Sequence, residues 1–241
     1  MSLKKHSDIR VGVCNNRRKG MEKLLDLPWS NKSPVYLWDD CYQHRWVKPS
    51  CMLLLTTFDQ PFTRDYLLPV GNLRELSEGM TRADAIIVTK CPKDISESQK
   101  KAFKERLQLR SHQSLFFSKI RYANYIINSE RRMSLGILEK ISFVLVTGIA
   151  DPCQLIDFLN GKFLEFEHIK FSDHHIFSDK DIEKIKVKSN GRLVLTTQKD
   201  YVRLSPKFNS DLLFCLPIEM EIEDQKQEDL NALVASKLGI D

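Results

Sequence analysis

Residues 35–45 read VYLWDDCYQHR, an apolar run of strand length that ends in two adjacent carboxylates and a polar loop. A nearly continuous apolar run of this length predicts a strand buried in a parallel sheet. Such a strand carries Asp39 and Asp40 to its carboxyl end, the edge of an open α/β sheet at which ligands bind. Two acids there are suited to holding a divalent cation, directly or through its waters. The alternative is an ordinary strand followed by a solvated Asp-Asp turn.

Similar apolar runs recur along the whole chain and predict further strands. They lie at residues 9–14, 51–57, 85–89, 114–122, 143–147, 163–169, 192–196 and 212–216. Amphipathic segments with capping signals separate many of them, and Ser178 followed by Asp181 is one such predicted helix start. Alternation of strands and helices, twice over, favours two layered α/β units. We therefore expect an α/β fold with a parallel-sheet domain over residues 1–112, a two-stranded connector over 113–128 and a smaller second α/β/α domain over 129–241.

The composition is that of a globular protein with a mild positive charge. The 241 residues are 42% hydrophobic, and 37 basic against 32 acidic residues give a net charge of +5. This excess suits an anionic partner, but the aromatic residues are not interleaved with basic ones as nucleic-acid-binding modules require, so no nucleic acid is expected. Six scattered cysteines without a C-x-x-C pair indicate reduced cytosolic thiols and no structural metal site. No apolar run approaches about 18 residues, so we expect a soluble cytoplasmic chain or one bound only at a membrane surface.

A long loop follows the strand predicted at residues 51–57. Residues 58–75 read FDQPFTRDYLLPVGNLRE, and the prolines and the glycine in this segment forbid regular structure. Long ordered loops in compact domains are often functional. Arg74 and Glu75 at its end either contact a substrate or form an ion pair on a packed surface loop.

Two further clusters lie where a predicted strand turns into a helix. The first cluster combines a carboxylate, Asp173, with two histidines, His174 and His175. A histidine beside a carboxylate can shuttle a proton, donate a hydrogen bond to a phosphate or bind a metal ion. Adjacent histidines point in different directions, so at most one of them faces a given site; a plain surface pair is the alternative. Lys199 is placed to reach an anion, while Asp200 favours the helix start. An ordinary capped helix explains that pair equally well.

Six ordered motifs resemble the lipid A 4'-kinase (tetraacyldisaccharide 4'-kinase) family. They are VYLWDDCYQHR, DYLLPVGNLRE, RADAIIVTKCP, VLVTGIADP, FSDHHIF and LTTQKDYVRL. The resemblance implies a P-loop-kinase-like fold. It also implies an enzyme that transfers the γ-phosphate of ATP to the 4'-hydroxyl of a tetraacyldisaccharide 1-phosphate lipid A precursor. It also implies a peripheral location at the cytoplasmic face of the inner membrane, with the disaccharide lipid and the anionic membrane surface as partners.

The same resemblance implies roles for individual residues. Asp39 and Asp40 match acids that handle Mg²⁺ and act in catalysis, and His44 lies in the same signature as a nucleotide-binding residue. Arg74 and Glu75 match a substrate-binding Leu-Arg-Glu element. His174 matches a histidine of the second domain that contributes to catalysis or nucleotide binding. Lys199 and Asp200 belong to a cofactor-binding signature in which Gln198 replaces the family's glutamate.

One element of the resembled family is absent from these 241 residues. They contain no glycine-rich loop ending in Gly-Lys-Thr, whose backbone N–H groups and lysine cradle the phosphates in this class of kinase. We therefore expect an N-terminally truncated chain with an incomplete parallel sheet and impaired activity. The alternative is a non-catalytic fragment that binds or complements a separately encoded P-loop half.

Overall fold

The computed structural model describes residues 9–27, 34–162, 165–208, 211–223 and 226–240. The chain divides into two compact units. The first unit comprises the described residues of 6–120 and 220–241, and the second those of 121–219. The chain passes from one unit to the other within two strands, Ser114–Tyr122 and Ile218–Ile222.

The first unit is built on a four-stranded sheet. Its strands are β1 (Leu53–Thr57), β2 (Ala85–Thr89), β3 (Ser114–Tyr122) and β10 (Ile218–Ile222), and they lie side by side in that order. Its helices are α1 (Arg17–Leu25), α2 (Glu97–Leu107) and α6 (Gln227–Leu238), with 3₁₀ turns at Phe62–Arg64 and Ser77–Arg82. β1, β2 and β3 are parallel, with Leu55 opposite Ile87 and Ile87 opposite Phe116.

Alternate residues of β2 serve two cores in the first unit. Ile86 and Val88 pack with Phe103 of α2, whereas Ile87 packs with Leu230 of α6 on the other face. Because successive side chains of a strand point to opposite faces, a strand covered by helices on both sides reads as a continuous apolar run. This arrangement explains the AIIVT sequence of the strand.

The second unit is built on a six-stranded sheet in the order β5-β4-β9-β8-β6-β7. The strands are β4 (Tyr125–Ile127), β5 (Arg132–Ser134), β6 (Phe143–Thr147), β7 (Phe166–Lys170), β8 (Leu193–Thr197) and β9 (Leu213–Leu216). The helices are α3 (Cys153–Asn160), α4 (Asp179–Ser189) and α5 (Gln198–Phe208), with a 3₁₀ turn at Leu135–Glu139. β7, β6, β8 and β9 run parallel, and β4 is antiparallel to β9.

Helices cover both faces of this second sheet. Leu145 of β6 packs with Leu155 of α3 on one face, whereas Val146 packs with Ile185 of α4 and Leu204 of α5 on the other. All five residues of β6 are buried. The mixed α/β fold with parallel sheets is therefore confirmed.

Two of the predicted strands are wrong. Residues 9–14 and 35–38 belong to no strand, and Leu37 is 94% exposed. A strand needs a neighbouring ladder for its backbone groups, and none of the described residues provides one beside these segments. The expectation for residues 51–57 also needs correction, because β1 is not covered on both faces: Leu55 is 60% exposed within the described part of the chain.

The predicted strand at residues 114–122 is present, but it does not form a two-stranded connector with residues 124–127. β3 lies between β2 and β10 in the first sheet, whereas β4 belongs to the second sheet. Residues 220–241 also lie with the first unit, because Leu230 and Ile222 pack against Phe116. Residues 163 and 164 of another predicted strand are outside the described residues. Across the described ranges, every helix is too short or too polar to cross a bilayer.

Candidate functional site

A cavity of about 230 Å³ opens in the first unit beside the loops that flank β1. Asp40, Arg74 and Glu75 all line it, together with the apolar side chains of Leu55 and Leu76. Arg74 Nη1 lies 3.4 Å from Asp40 Oδ2, and both side chains are largely exposed. The fold thus brings Asp40 beside the adjacent residues Arg74 and Glu75, although Arg74 follows Asp40 by 34 positions along the chain.

Glu75 is held by two arginines at the wall of this cavity. Its carboxylate accepts hydrogen bonds from Arg82 at 2.7 Å and from Arg45 at 3.1 Å. The hydrogen bond from Arg82 is the main cause that lowers the pKa of Glu75. Arg82 also donates to the backbone O of Tyr42 at 3.2 Å and lies over its ring. Glu75 is therefore an ionised, oriented carboxylate.

Tyr42 fixes the segment that follows the acidic pair. Its hydroxyl donates to the backbone O of Gly79 at 2.9 Å, and burial raises the pKa of this phenol. Asp40 precedes it with φ at +49°, in the left-handed region that non-glycine residues seldom adopt. The chain turns here so that Asp40 faces the cavity.

Asp39 and His44 lie close by in sequence but do not line the cavity. Both are exposed; the backbone O of Asp39 accepts from the thiol of Cys41, and the backbone N of His44 donates to Cys41 O. Within the described ranges there is no group of three or more His, Cys, Asp or Glu side chains able to hold a metal ion. Asp39 and Asp40 are the hard oxygen donors of this segment.

A cluster of charged side chains lies in the second unit, on the loop after β7 and on the first two turns of α5. Lys199 Nζ lies 3.2 Å from Asp173 Oδ1 and 3.4 Å from His174 Nε2, while Arg203 Nη2 lies 3.2 Å from His174 Nδ1. A neutral imidazole has a single acceptor nitrogen, so the lysine and the arginine cannot both donate to it. This cluster therefore presents cationic groups with unused hydrogen-bonding capacity, as an anion requires.

The carboxyl group of Asp173 is ionised within this cluster. Burial acts to raise its pKa, but hydrogen bonds from Lys199 and from the backbone of His174 outweigh that effect and hold the pKa below its ordinary value. His174 itself has φ at +56° and is largely exposed. Asp173 thus accepts from Lys199, while Arg203 Nη1 lies 3.7 Å from the carboxylate of Asp200.

Asp200 lies beneath the cluster and is fully buried. Its Oδ2 accepts from the backbone N of Gly148 at 2.9 Å and from the hydroxyl of Thr197 at 2.8 Å. Its Oδ1 lies 3.7 Å from Arg203 Nη1 and makes no hydrogen bond within the described residues. The side chain ties the loop after β6 to the start of α5, which carries Lys199.

His175 faces away from the cluster that holds His174. Its Nε2 lies 3.0 Å from Asp181 Oδ2, and its ring stacks on Phe171 with centroids 4.7 Å apart. Asp181 also forms a capping box with Ser178 at the start of α4. His175 therefore has a structural role in the helix start.

Comparison with known proteins decides the family. The sequence matches the family model of LpxK, described as tetraacyldisaccharide-1-P 4'-kinase, over residues 1–238. The chain belongs to this family. The resemblance inferred from the six motifs is thereby confirmed.

LpxK-family relatives cover most of this chain. The tetraacyldisaccharide 4'-kinase of Flavobacterium psychrophilum is 41% identical over 229 residues, which are 94% of this chain and 66% of the relative. That of Bacteroides thetaiotaomicron is 38% identical over 250 residues, covering 94% of this chain and 65% of the relative. The chain thus spans slightly less than two thirds of the length of these relatives.

A solved LpxK structure shares the fold. The crystal structure of LpxK from Aquifex aeolicus in complex with ATP matches with a TM-score of 0.59 and 24% identity, over 82% of this chain and 56% of that one. At this level of identity the match is evidence for the fold alone.

Two arginines of this LpxK-family chain were not predicted from the sequence: Arg82 at the first-unit cavity and Arg203 in the second-unit cluster. Arg82 lies at the end of a 3₁₀ turn, immediately before the buried residues that lead into β2. Arg203 lies four residues after Lys199 on α5, a spacing that places two side chains on the same face of a helix. That spacing is a signal from which Arg203 could have been found; only the fold brings Arg82 to Glu75.

Proposed function

We propose that this chain takes part in the ATP-dependent phosphorylation of the 4'-hydroxyl of a tetraacyldisaccharide 1-phosphate lipid A precursor. The observation that carries the proposal is the first-unit cavity, in which Asp40, Arg74 and Glu75 meet. A phosphorylated sugar is an anionic, hydroxyl-rich ligand, and an arginine beside oriented carboxylates offers both charge and hydrogen-bond acceptors to it. We assign Arg74 and Glu75 to the binding of this substrate.

Mg²⁺ fits the acidic pair by the chemistry of its donors. Mg²⁺ is bound in such enzymes by one or two carboxylates together with waters and substrate phosphates. Asp39 and Asp40 would supply those carboxylates, and Asp40 lines the cavity. When bound, the ion neutralises charge on the phosphate oxygens. We also assign a catalytic role to this pair, and His44 to nucleotide contact in the same segment.

The cluster in the second unit is suited to the phosphates of ATP. Lys199 and Arg203 flank His174, and charged donors of this kind form strong hydrogen bonds with phosphate oxygens. We assign His174 to catalysis or nucleotide contact and Lys199 to nucleotide binding. Asp200 is buried, and its oxygens face Gly148, Thr197 and Arg203 instead of a nucleotide. Its burial supports a role in holding the start of α5, which carries Lys199.

Phosphoryl transfer of this class also uses a glycine-rich phosphate loop, and these 241 residues contain none. We therefore propose that the 241-residue chain assayed by itself is impaired in phosphoryl transfer, and that a P-loop segment supplied in trans restores it. A peripheral location at the cytoplasmic face of the inner membrane follows from the lipid nature of the proposed substrate. The second candidate function is that of a non-catalytic fragment, which binds or complements a separate P-loop half. It is considered because these 241 residues contain no glycine-rich phosphate loop.

Calorimetric titration of the 241-residue chain with ATP and Mg²⁺ tests the acidic pair. The double variant Asp39→Ala, Asp40→Ala is compared with Glu228→Ala, Asp229→Ala, which removes an adjacent, exposed acidic pair from the start of α6 in the same unit. We expect binding to be lost in the first variant and retained in the second. Equal binding by both variants would contradict the role assigned to Asp39 and Asp40.

The phosphorylation assay distinguishes the two candidate functions. The chain is incubated with ATP, Mg²⁺ and detergent-dispersed tetraacyldisaccharide 1-phosphate, with and without a purified P-loop segment from a Flavobacterium relative. Product formed only when the segment is present supports the kinase proposal. A folded chain that binds the segment but forms no product, even with an active control enzyme beside it, supports the non-catalytic alternative.

A further inference from the structure

Five consecutive residues of the first unit form an exposed apolar loop: Tyr66, Leu67, Leu68, Pro69 and Val70. Tyr66 is 69% exposed, Leu68 62% and Val70 81%. Single apolar side chains on a surface are ordinary, but a contiguous group of large ones marks an interaction site. The kinase site proposed above does not account for these side chains.

The backbone holds the apolar loop in this exposed form. Asp65 Oδ1 accepts from the backbone N of Tyr66 at 2.8 Å and of Asn72 at 3.1 Å, and Asp65 Oδ2 accepts from Asn72 Nδ2 at 3.1 Å. Across the loop, Leu68 N donates to Leu73 O at 3.0 Å and Leu73 N donates to Tyr66 O at 2.9 Å. Because these bonds fix the chain without burying the apolar side chains, the exposure is a built feature of the loop.

Arginines flank the apolar loop on both sides. Arg64 precedes it, is exposed, and makes no ion pair within the described part of the chain. Arg74 follows it and, among the described residues, is paired with Asp40 alone; this pair is exposed and water screens it strongly. The acid inside this segment, Asp65, has both oxygens engaged by the loop's own donors. The surface around the loop therefore combines apolar side chains with available positive charge.

The apolar loop is continuous with the proposed substrate cavity. Asn72, Leu73 and Arg74, which close the loop, are also lining residues of that cavity. Apolar and aromatic side chains beside arginines are the combination that binds an anionic bilayer surface, where the rings and aliphatic groups enter the headgroup region and the cations meet lipid phosphates.

We propose that the apolar loop inserts into the headgroup region of an anionic lipid bilayer and thereby holds the cavity at the membrane surface. The choice of a bilayer rests on the proposed function, whose substrate is a lipid, and on the flanking arginines. Tyr66, Leu68 and Val70 supply the inserted surface, and Arg64 the contact with lipid phosphates. This assignment gives the loop a role in delivering substrate to the site.

Flotation of the 241-residue chain with vesicles tests the assignment. Vesicles of phosphatidylethanolamine with phosphatidylglycerol are compared with vesicles of phosphatidylcholine alone. The loop variant Tyr66→Ser, Leu68→Asn, Val70→Asn leaves every backbone hydrogen bond of the loop possible. We expect it to bind the anionic vesicles at least about tenfold more weakly than the unchanged chain. Arg64→Gln should weaken binding to the anionic vesicles about fivefold and leave binding to the neutral vesicles unchanged.

The matched control removes exposed apolar side chains elsewhere: Val187→Asn on α4 combined with Ile218→Thr on β10. This control should bind vesicles like the unchanged chain. Circular dichroism verifies that each variant is folded, and Val70→Asn alone provides the test if the triple variant is not. Absence of vesicle binding by the unchanged chain, or equal binding by the loop and control variants, overturns the proposal.

Two further measurements separate this inference from its rivals. Light scattering without lipid reports self-association of the chain. If the unchanged chain is a dimer and the loop variant is a monomer, the loop contacts a second copy of the chain, and the proposal of bilayer insertion is overturned. Phosphorylation of detergent-dispersed substrate, with the P-loop segment added, tests the proposed function without a bilayer. If vesicle binding depends on the loop but no substrate is phosphorylated, only the proposed function is refuted. If substrate is phosphorylated but vesicle binding does not depend on the loop, only this inference is refuted.

Discussion

Replacement of the buried carboxylate of Asp200 is expected to destabilise the second unit strongly. In the folded chain Asp200 accepts hydrogen bonds from the backbone N of Gly148 and the hydroxyl of Thr197. Gly148 is buried, so Asp200→Ala leaves its N–H without a partner, at a cost of about 1–3 kcal/mol. Loss of the carboxylate from the first turn of α5 adds about 0.5–2 kcal/mol. Together these losses are about 1.5–5 kcal/mol.

Asp200→Asn is the matched control for this prediction. The amide oxygen can accept both hydrogen bonds in place of Oδ2, and the amide nitrogen takes the place of Oδ1, which has no hydrogen-bond partner within the described residues. The negative charge is lost at the helix start, where it is worth about 1 kcal/mol or less. Its attraction to Arg203 Nη1, 3.7 Å from Oδ1, is lost as well, in both this variant and Asp200→Ala. We therefore expect Asp200→Asn to lower the free energy of unfolding by about 2 kcal/mol or less, and by less than Asp200→Ala, because the hydrogen bonds to Gly148 and Thr197 are kept.

Urea unfolding followed by circular dichroism measures both variants. The expected order of midpoints is the unchanged chain first, Asp200→Asn slightly lower, and Asp200→Ala well below both. A loss of about 1.5–5 kcal/mol is a large part of the 5–15 kcal/mol typical of a folded domain, so the difference is easily measured. Equal midpoints for the two variants would refute the reasoning that the Gly148 N–H depends on the acceptor at position 200.

Two other predictions concern a glycine and a helix cap. A Cβ at Gly71 would collide with Asp65 Oδ1 and with the backbone of Tyr66, so Gly71→Ala should lower the free energy of unfolding by about 1–3 kcal/mol. Gly136→Ala is the control, because a Cβ there makes only an ordinary contact with Ser134 Oγ at 3.6 Å, and it should leave the urea midpoint unchanged. Hydrogen bonds from Ser178 lower the pKa of Asp181 to about 2. Asp181→Asn should therefore reduce the thermal midpoint above about pH 4, and this difference should vanish as the pH falls towards 2; a difference that persists at low pH would contradict it.

The elements predicted best are those whose burial or capping shows in their own residues. β2 and β6 have the predicted bounds, because strands covered on both faces carry continuous apolar runs. β3 also has the predicted bounds, but its sequence SLFFSKIRY indicates a strand by alternation and not by an apolar run. The Ser178 helix start was also predictable, since a capping box involves only residues within one turn. Local patterns therefore determined elements of both units.

Long-range pairing was not predictable in the same way. The neighbour of β3 in the first sheet is β10, about a hundred residues later, and no local pattern encodes that partner. Residues 35–38 carry the apolar pattern of a strand, but a strand forms only where a partner ladder is present. The burial of Asp200 was missed for a related reason, because its acceptor role is set by Gly148, 52 positions earlier.

The backbone supplies an argument for function that the side-chain contacts do not. Among the residues that the structure describes, five that are not glycine have positive φ: Asp40, Lys90, Gln108, His174 and Asn190. Gln108 and Asn190 close helices, where the left-handed conformation is an ordinary ending. No helix end explains the other three, and each bears a charged or titratable side chain in a loop. Since residues held in this conformation cost free energy and concentrate at functional sites, Lys90, which follows β2 directly, belongs with Asp40 and His174 among the positions to be substituted first.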